Sequence, residues 1–205
     1  MKLFDDYLKE NINFLTAVLA LIILVEATFI TSLFLPERFE PIKKKVTSSL
    51  TKKPVVASLT LTKGATSYKV GDSFEVGVTL DTQGNKTVGT DLVISYDKDK
   101  LEVVDAEAAK EGIQIKGGSL YDTVATNKAI KKEGKIYFAA IASPGKPEFS
   151  GKGVLATIKF KAVKAGEALV QADHKIGSTI DSNVVTAAQK DILTRVENSL
   201  VSIVQ

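Results

Sequence analysis

Val88-Gly89-Thr90-Asp91-Leu92-Val93-Ile94-Ser95-Tyr96-Asp97-Lys98-Asp99-Lys100-Leu101-Glu102-Val103-Val104 carries the clearest structural signal in the chain. Leu92, Ile94 and Tyr96 alternate with Asp91, Val93 and Ser95, and a period of two is what a pleated strand imposes. Asp97-Lys98-Asp99-Lys100 breaks the pattern with residues suited to a turn, Asp in particular bonding its own backbone. Leu101, Val103 and Val104 then resume it. Two strands joined by a short acidic turn predict a hairpin-like corner, a building unit of antiparallel sandwiches. With Leu92, Ile94 and Tyr96 in the core, Gly89, Asp91, Val93 and Ser95 share the opposite face. That free face is the candidate partner-binding site.

Downstream and upstream of this segment, from Val56 onward, short strands recur with turn signals every 8–12 residues, the texture of an all-β sandwich. Nine strands are predicted: 57–62, 73–81, 87–96, 101–107, 112–116, 135–142, 154–162, 168–172 and 199–204. Val70-Gly71-Asp72, Gln83-Gly84-Asn85, Gly117-Gly118, Ser143-Pro144-Gly145 and Ala165-Gly166 punctuate them. Alternation is plain in Phe74, Val76, Val78 and Leu80, and in Ala156, Ile158 and Phe160 against Leu155, Thr157 and Lys159. Over 187–197 the spacing of Ile192, Leu193 and Val196 leaves a short helix as an alternative.

The beginning of the chain has a different character. Residues 1–13 form a short polar tail of mixed charge. Phe14 to Leu35 is a run of 22 residues in which Glu26 is the only charge. At ~1.5 Å per residue it reaches roughly 33 Å, enough for a hydrocarbon core of about 30 Å. It is longer than the ~7–15 apolar residues of a cleaved signal peptide and lacks a clear small-x-small site. An uncleaved, single-pass transmembrane helix over 14–35 is therefore expected, with Glu26 a costly charge inside lipid. Pro36 ends it, and Arg38, Lys43, Lys44, Lys45, Lys52 and Lys53 mark a basic linker over 36–55, read as a solvated stop-transfer flank ahead of the alternative, a segment lying near anionic headgroups. Residues 56–205 make the sandwich domain.

Charge follows the same division. Residues 1–35 hold two Lys against four acids, residues 36–55 six basic against two Glu, and residues 56–205 nineteen basic against eighteen acidic. The sandwich is nearly neutral, which argues against a nucleic-acid-binding domain. The basic excess after the span, set against Lys2 and Lys9 before it, favours a cytoplasmic C-terminal side. With no cysteine and a single histidine, thiolate chemistry is unavailable.

The ordered strands resemble the cohesin domain, the β-sandwich module that receives dockerins in bacterial cellulosomes and related cell-surface proteins. The resemblance spans about residues 57–204. It is carried by Tyr68-Lys69-Val70-Gly71-Asp72-Ser73-Phe74-Glu75-Val76, by the Asp91-to-Val104 segment, by Gly134-Lys135-Ile136-Tyr137-Phe138-Ala139 and by Gly153-Val154-Leu155-Ala156-Thr157-Ile158-Lys159-Phe160-Lys161-Ala162. It implies a nine-stranded antiparallel sandwich of jelly-roll topology. It further implies a non-catalytic module, displayed outside the membrane, that binds a dockerin-bearing protein through one sheet face. In many cohesins the strand before the Tyr-Asp turn opens Asn-x-Asp, and both side chains contact the partner. Here Asp91 matches the second position and Gly89 stands at the first. The outward location conflicts with the basic flank, although long domains cross membranes largely regardless of flanking charge.

Catalytic signals are weak beside these. His174 lies in Ala172-Asp173-His174-Lys175, a setting typical of a turn residue, and no Gly-x-Ser-x-Gly elbow accompanies it. Asp97 and Asp99 stand too close together to suggest a glycosidase pair. Calcium is an alternative at Asp97/Asp99 or at Asp181/Asn183, since hard cations prefer clustered oxygens. The full Asp-x-Asp-x-Asp-Gly loop is absent, so neither a metal nor a cofactor is expected. Asn85-Lys86-Thr87 is a glycosylation triplet of little weight. Carbohydrate binding, or a structural role in a surface assembly, is the alternative function. Without Trp, a sugar platform would fall to Tyr121 and Phe149.

Overall fold

The computed structural model describes residues 56–205. The tail, the membrane helix expected over 14–35 and the basic linker lie outside these residues. Among the described residues no helix is long and apolar enough to cross a membrane.

The described residues form thirteen strands: β1 (Ala57–Lys63), β2 (Ser67–Lys69), β3 (Ser73–Asp81), β4 (Gly89–Tyr96), β5 (Leu101–Val103), β6 (Lys116–Gly117), β7 (Thr123–Ile130), β8 (Lys135–Ile141), β9 (Lys152–Ala162), β10 (Gly166–Ala172), β11 (Asn183–Val185), β12 (Leu193–Glu197) and β13 (Ser199–Val204). One sheet runs β12-β1-β3-β9-β5, with β6 added along β9. The other runs β2-β13-β10-β4-β8-β7, with β11 added along β4. The alternating residues of both sheets meet between them. Leu59, Leu80, Leu92, Ile94, Ile136, Phe138, Ile158 and Phe160 are fully buried, each contributing of order 1.5–3 kcal/mol of burial. Tyr96 leans on Phe160 with ring centroids 5.4 Å apart, and Tyr68 stacks on Phe74 at 4.0 Å.

The all-β sandwich expected from the period of two is present, with four strands more than predicted. β2, β11 and β12 are short, and β7 carries a register shift between Val124 and Thr126 that breaks its alternation. The extended stretches expected over 101–107 and 112–116 shrink to Leu101–Val103 and Lys116–Gly117. The helix alternative over 187–197 is replaced by β12, because one Asp191 carboxylate oxygen accepts from Val184 N at 2.9 Å and Leu193 N at 3.0 Å, folding the chain back on itself. The Asp97–Lys100 turn is a corner rather than a hairpin, since β4 and β5 belong to different sheets. Asp97 builds it by accepting from Asp99 N at 3.1 Å through its carboxylate and from Leu101 N at 2.9 Å through its carbonyl. Leu155 does not share a face with Thr157 and Lys159. The register slips between Val78 and Thr79, so Leu155 and Ala156 both turn inward, as a bulge allows.

Pairing is antiparallel except at the ends of the domain. β1 runs parallel to β12, and β2 runs parallel to β13. β12 and β13 form one nearly continuous strand that passes from the first sheet to the second at Asn198, whose side-chain oxygen accepts from Ala172 N at 3.1 Å.

Candidate functional site: the outer face of β4 and β8

β4 sits inside its sheet. One edge pairs with β8 from Gly89 to Ser95. The other edge is shared, with β10 opposite Ile94–Tyr96 and β11 opposite Gly89–Asp91. Between these two short pairings the chain leaves the sheet as a loop, residues 173–182, and returns. The neck of the loop is tied to Val93: Asp173 N donates to Val93 O at 2.8 Å, Val93 N donates to Ser182 Oγ at 3.0 Å, and Ser182 N donates to Asp173 O at 2.9 Å. The backbone groups of Val93 are thereby satisfied, and the loop stands as a wall beside the outer face of the sheet.

The four expected site residues fare differently. Asp91 is exposed, Val93 and Ser95 are half-buried, and Leu92, Ile94 and Tyr96 fill the core as the alternation requires. Gly89 lies on the same face but is buried, so it does not present an open, flattened surface. A Cβ there would stand 3.0 Å from Ile141 Cγ2 and 3.2 Å from Ala140 O. Gly89 is a packing residue under Ile141.

Asp91 and Val93 border an open depression of about 250 Å3, whose other lining includes Tyr137 and Ala139 of β8, Thr126 of β7, and Ile180 and Asp181 of the loop. The register explains the company, because Asp91 pairs with Ala139 and Ala139 with Thr126, while Val93 pairs with Tyr137 and Tyr137 with Lys128. Lys128 Nζ lies 5.6 Å from the centre of the Tyr137 ring. Ile180 is 90% exposed at the loop tip, an apolar side chain with nothing over it. Partial desolvation raises the Asp91 carboxyl above its ordinary value.

Ser95 belongs to a separate polar cluster on the same face. Its hydroxyl lies 2.7 and 2.9 Å from the two Asp173 carboxylate oxygens and accepts from Lys135 Nζ at 2.7 Å, and Lys135 also forms an ion pair with Asp173. This cluster pins the loop neck to β4 and β8.

Sequence periodicity could have supplied Tyr137, which alternates with buried Ile136 and Phe138. Thr126 and the loop residues carry no local signal. The remaining expectations place as follows. Tyr121 is 6% exposed, its hydroxyl 2.7 Å from Thr87 Oγ1 and its ring packed edge-on to Phe149 at 6.0 Å. Those two aromatics are core-lining, so they form no sugar platform. Of the acid pairs, Asp97 is occupied by Asp99 N and by Lys100 Nζ at 2.5 Å, which holds its carboxyl below the usual range. Asn183 is buried, and its amide donates to Asp181 O at 2.8 Å. Among the described residues no group of three or more His, Asp or Glu is placed to hold a metal ion. His174 sits at the loop neck with both ring nitrogens buried and unpartnered. The Asn85 amide donates to Thr82 O at 2.8 Å, and Thr87 is buried, which leaves the triplet poorly presented for modification.

The sequence matches the family model of the cohesin domain over residues 57–195. No curated protein matches it. Among solved structures, a type II cohesin domain from the cellulosome of Acetivibrio cellulolyticus superposes with a TM-score of 0.58 at 16% identity, covering 71% of this chain and 95% of that one. CaCohA2 from Clostridium acetobutylicum aligns at 22% identity and a TM-score of 0.53, over 71% of this chain and 90% of that one. A type I cohesin–dockerin complex from Clostridium thermocellum gives 17% identity, a TM-score of 0.52, and coverage of 72% and 99%.

Proposed function

Because the chain belongs to the cohesin domain family, we propose that it is a non-catalytic binding module whose partner is a dockerin-bearing protein. The partner lies on the outer face of β4 and β8, against Asp91, Val93, Tyr137 and the 173–182 loop. The observation that carries this is the open depression with an unpaired carboxylate at its rim and an uncovered Ile180 beside it. Protein interfaces are centred on such apolar and aromatic contacts with polar groups around them. Ser95 serves indirectly, by holding the loop neck through Asp173.

The same proposal includes a single-pass anchor over Phe14–Leu35 and a C-terminal domain outside the membrane. The length and the single charge of that run support the anchor, and the cohesin family assignment supports the orientation. Protease added to intact cells should remove the domain. Protection in intact cells with digestion in inside-out vesicles would reverse the orientation.

The binding test is a titration of the full-length chain against the dockerin modules encoded by its own organism. At least one should bind saturably, and Asp91→Lys should weaken that binding by a few kcal/mol if the carboxylate is paired in the complex. Absence of binding to every such dockerin would remove the partner assignment. Equal affinity of Asp91→Lys and wild type would move the site off this face.

A further inference from the structure

The depression beside Asp91 is chemically narrower than a general protein-docking face. Two acidic residues line it from different elements, Asp91 from β4 and Asp181 from the 173–182 loop. Among the described residues neither forms an ion pair. Asp181 Oδ2 accepts from Lys175 N, while Asp181 Oδ1 is buried and accepts from nothing. A buried acceptor without a donor is a standing cost that a ligand bearing N–H groups can relieve.

Two nearby lysines are already engaged. Lys135 is held by Asp173 and Ser95, and Lys128 lies over the Tyr137 ring. The rest of the lining includes Tyr137, the small Ala139, Thr126 and Ile180. A volume of about 250 Å3 is below the roughly 300–1,000 Å3 of small-molecule pockets and suits one long side chain. A planar, weakly hydrated guanidinium offers five N–H donors in a rigid fork, which two carboxylates can share. An ammonium is a compact, strongly hydrated point charge.

We infer that this depression receives an arginine side chain of the protein partner, with Asp91 and Asp181 accepting from the guanidinium and Tyr137 and Ile180 flanking its stem. The inference rests on the proposed protein-binding role of this sheet face. Asp181 Oδ1 has no exposed surface in the free chain, so seating the guanidinium entails a small shift of the loop.

The test uses the uniformly 15N-labelled full-length chain in detergent micelles, titrated with N-acetyl-arginine methylamide and followed by amide spectra. Shifts should concentrate at Asp91, Thr126, Ala139 and residues 174–181. The lysine analogue should bind at least tenfold more weakly, and the neutral citrulline analogue should produce none of these shifts. Asp91→Asn, and separately Asp181→Asn, should each weaken the arginine response about tenfold or more while the rest of the spectrum stays that of wild type. Equal responses to arginine and citrulline, shifts centred elsewhere, or no response up to the solubility limit would overturn the inference. A chain that binds a dockerin but not the arginine analogue sinks this inference alone. Arginine binding at the depression without binding to any dockerin sinks the proposed function and leaves the chemistry of the depression standing.

Discussion

At the scale of single residues, Asp91 combines a raised carboxyl pKa with an exposed position. The folded chain holds the Asp91 proton more tightly than the unfolded chain does, so ionising this group detracts from stability. The penalty is absent below the ordinary carboxylate range and develops as pH rises through the folded-state value. Asp91→Asn should therefore match wild type in urea unfolding at pH 3 and be slightly more stable at pH 7, by less than about 0.5 kcal/mol because the site is exposed. An equal difference at both pH values would show that desolvation of the carboxylate is not the cause. Asp97 is the opposite case. Lys100 and the turn backbone hold its carboxyl down, so its contribution is present above the ordinary range and fades as pH falls through the folded-state value. Two aspartates six positions apart thus differ in role: one fastens a corner, and the other is left free for a partner.

At the scale of elements, close approaches of backbone decide which glycines are replaceable. Gly118 passes so near β9 that a Cβ would overlap the Val154 carbonyl oxygen, with Leu155 O at 2.9 Å. Gly118→Ala should break the short β6 pairing and cost about 1–3 kcal/mol or more, read as a lower urea midpoint. Gly84→Ala has no steric obstacle, since nothing lies within 4 Å there. Its positive φ of 82° should limit its cost to about 1–2 kcal/mol of left-handed strain. If Gly118→Ala proves the milder of the two, the packing around β6 is looser than described. The same scale shows what was legible in the sequence. β3, β4, β8 and β9 show their period of two because one face of each is packed on the core. β7 does not, because its register slips between Val124 and Thr126. Thr123 and Thr126, which pair with Ile141 and Ala139 on the outer side of β8, are therefore three residues apart rather than two. The loop wall was invisible for another reason: Asp173 and Ser182 meet only because β10 and β11 share one edge of β4. Asp91 and Val93 could be placed from sequence, and Tyr137 by its own alternation within β8, whereas Asp181 needed the topology. Gly89 was placed on the right face, but its burial depends on Ile141, far away in sequence.

At the scale of the domain formed by residues 56–205, the buried core lies in the contact between the two sheets. Phe138 and Phe160 come from opposite sheets and are 2% and 0% exposed. Phe160→Ala should cost about 3–5 kcal/mol, since Phe74 and Tyr96 both pack on that ring. Equilibrium urea unfolding followed by tyrosine fluorescence would measure it, and a loss under about 1 kcal/mol would mean that the core repacks around the cavity.

The two parallel pairings at the ends of the domain give it a direction under mechanical load. β1 and β2 leave from the N-terminal side, β12 and β13 lead to the C-terminus, and each sheet contains one such parallel pair. Pulling residues 56 and 205 apart drags parallel neighbours past each other in opposite senses. Their hydrogen bonds are then loaded together rather than peeled one by one. Rupture under load is governed by the unfolding rate rather than by equilibrium stability. In single-molecule stretching, the domain should resist tension applied through its two ends far better than tension applied across the Lys131–Gly134 turn between β7 and β8, where an antiparallel pair can unzip. Similar rupture forces in both geometries would show that the terminal strands do not clamp the fold.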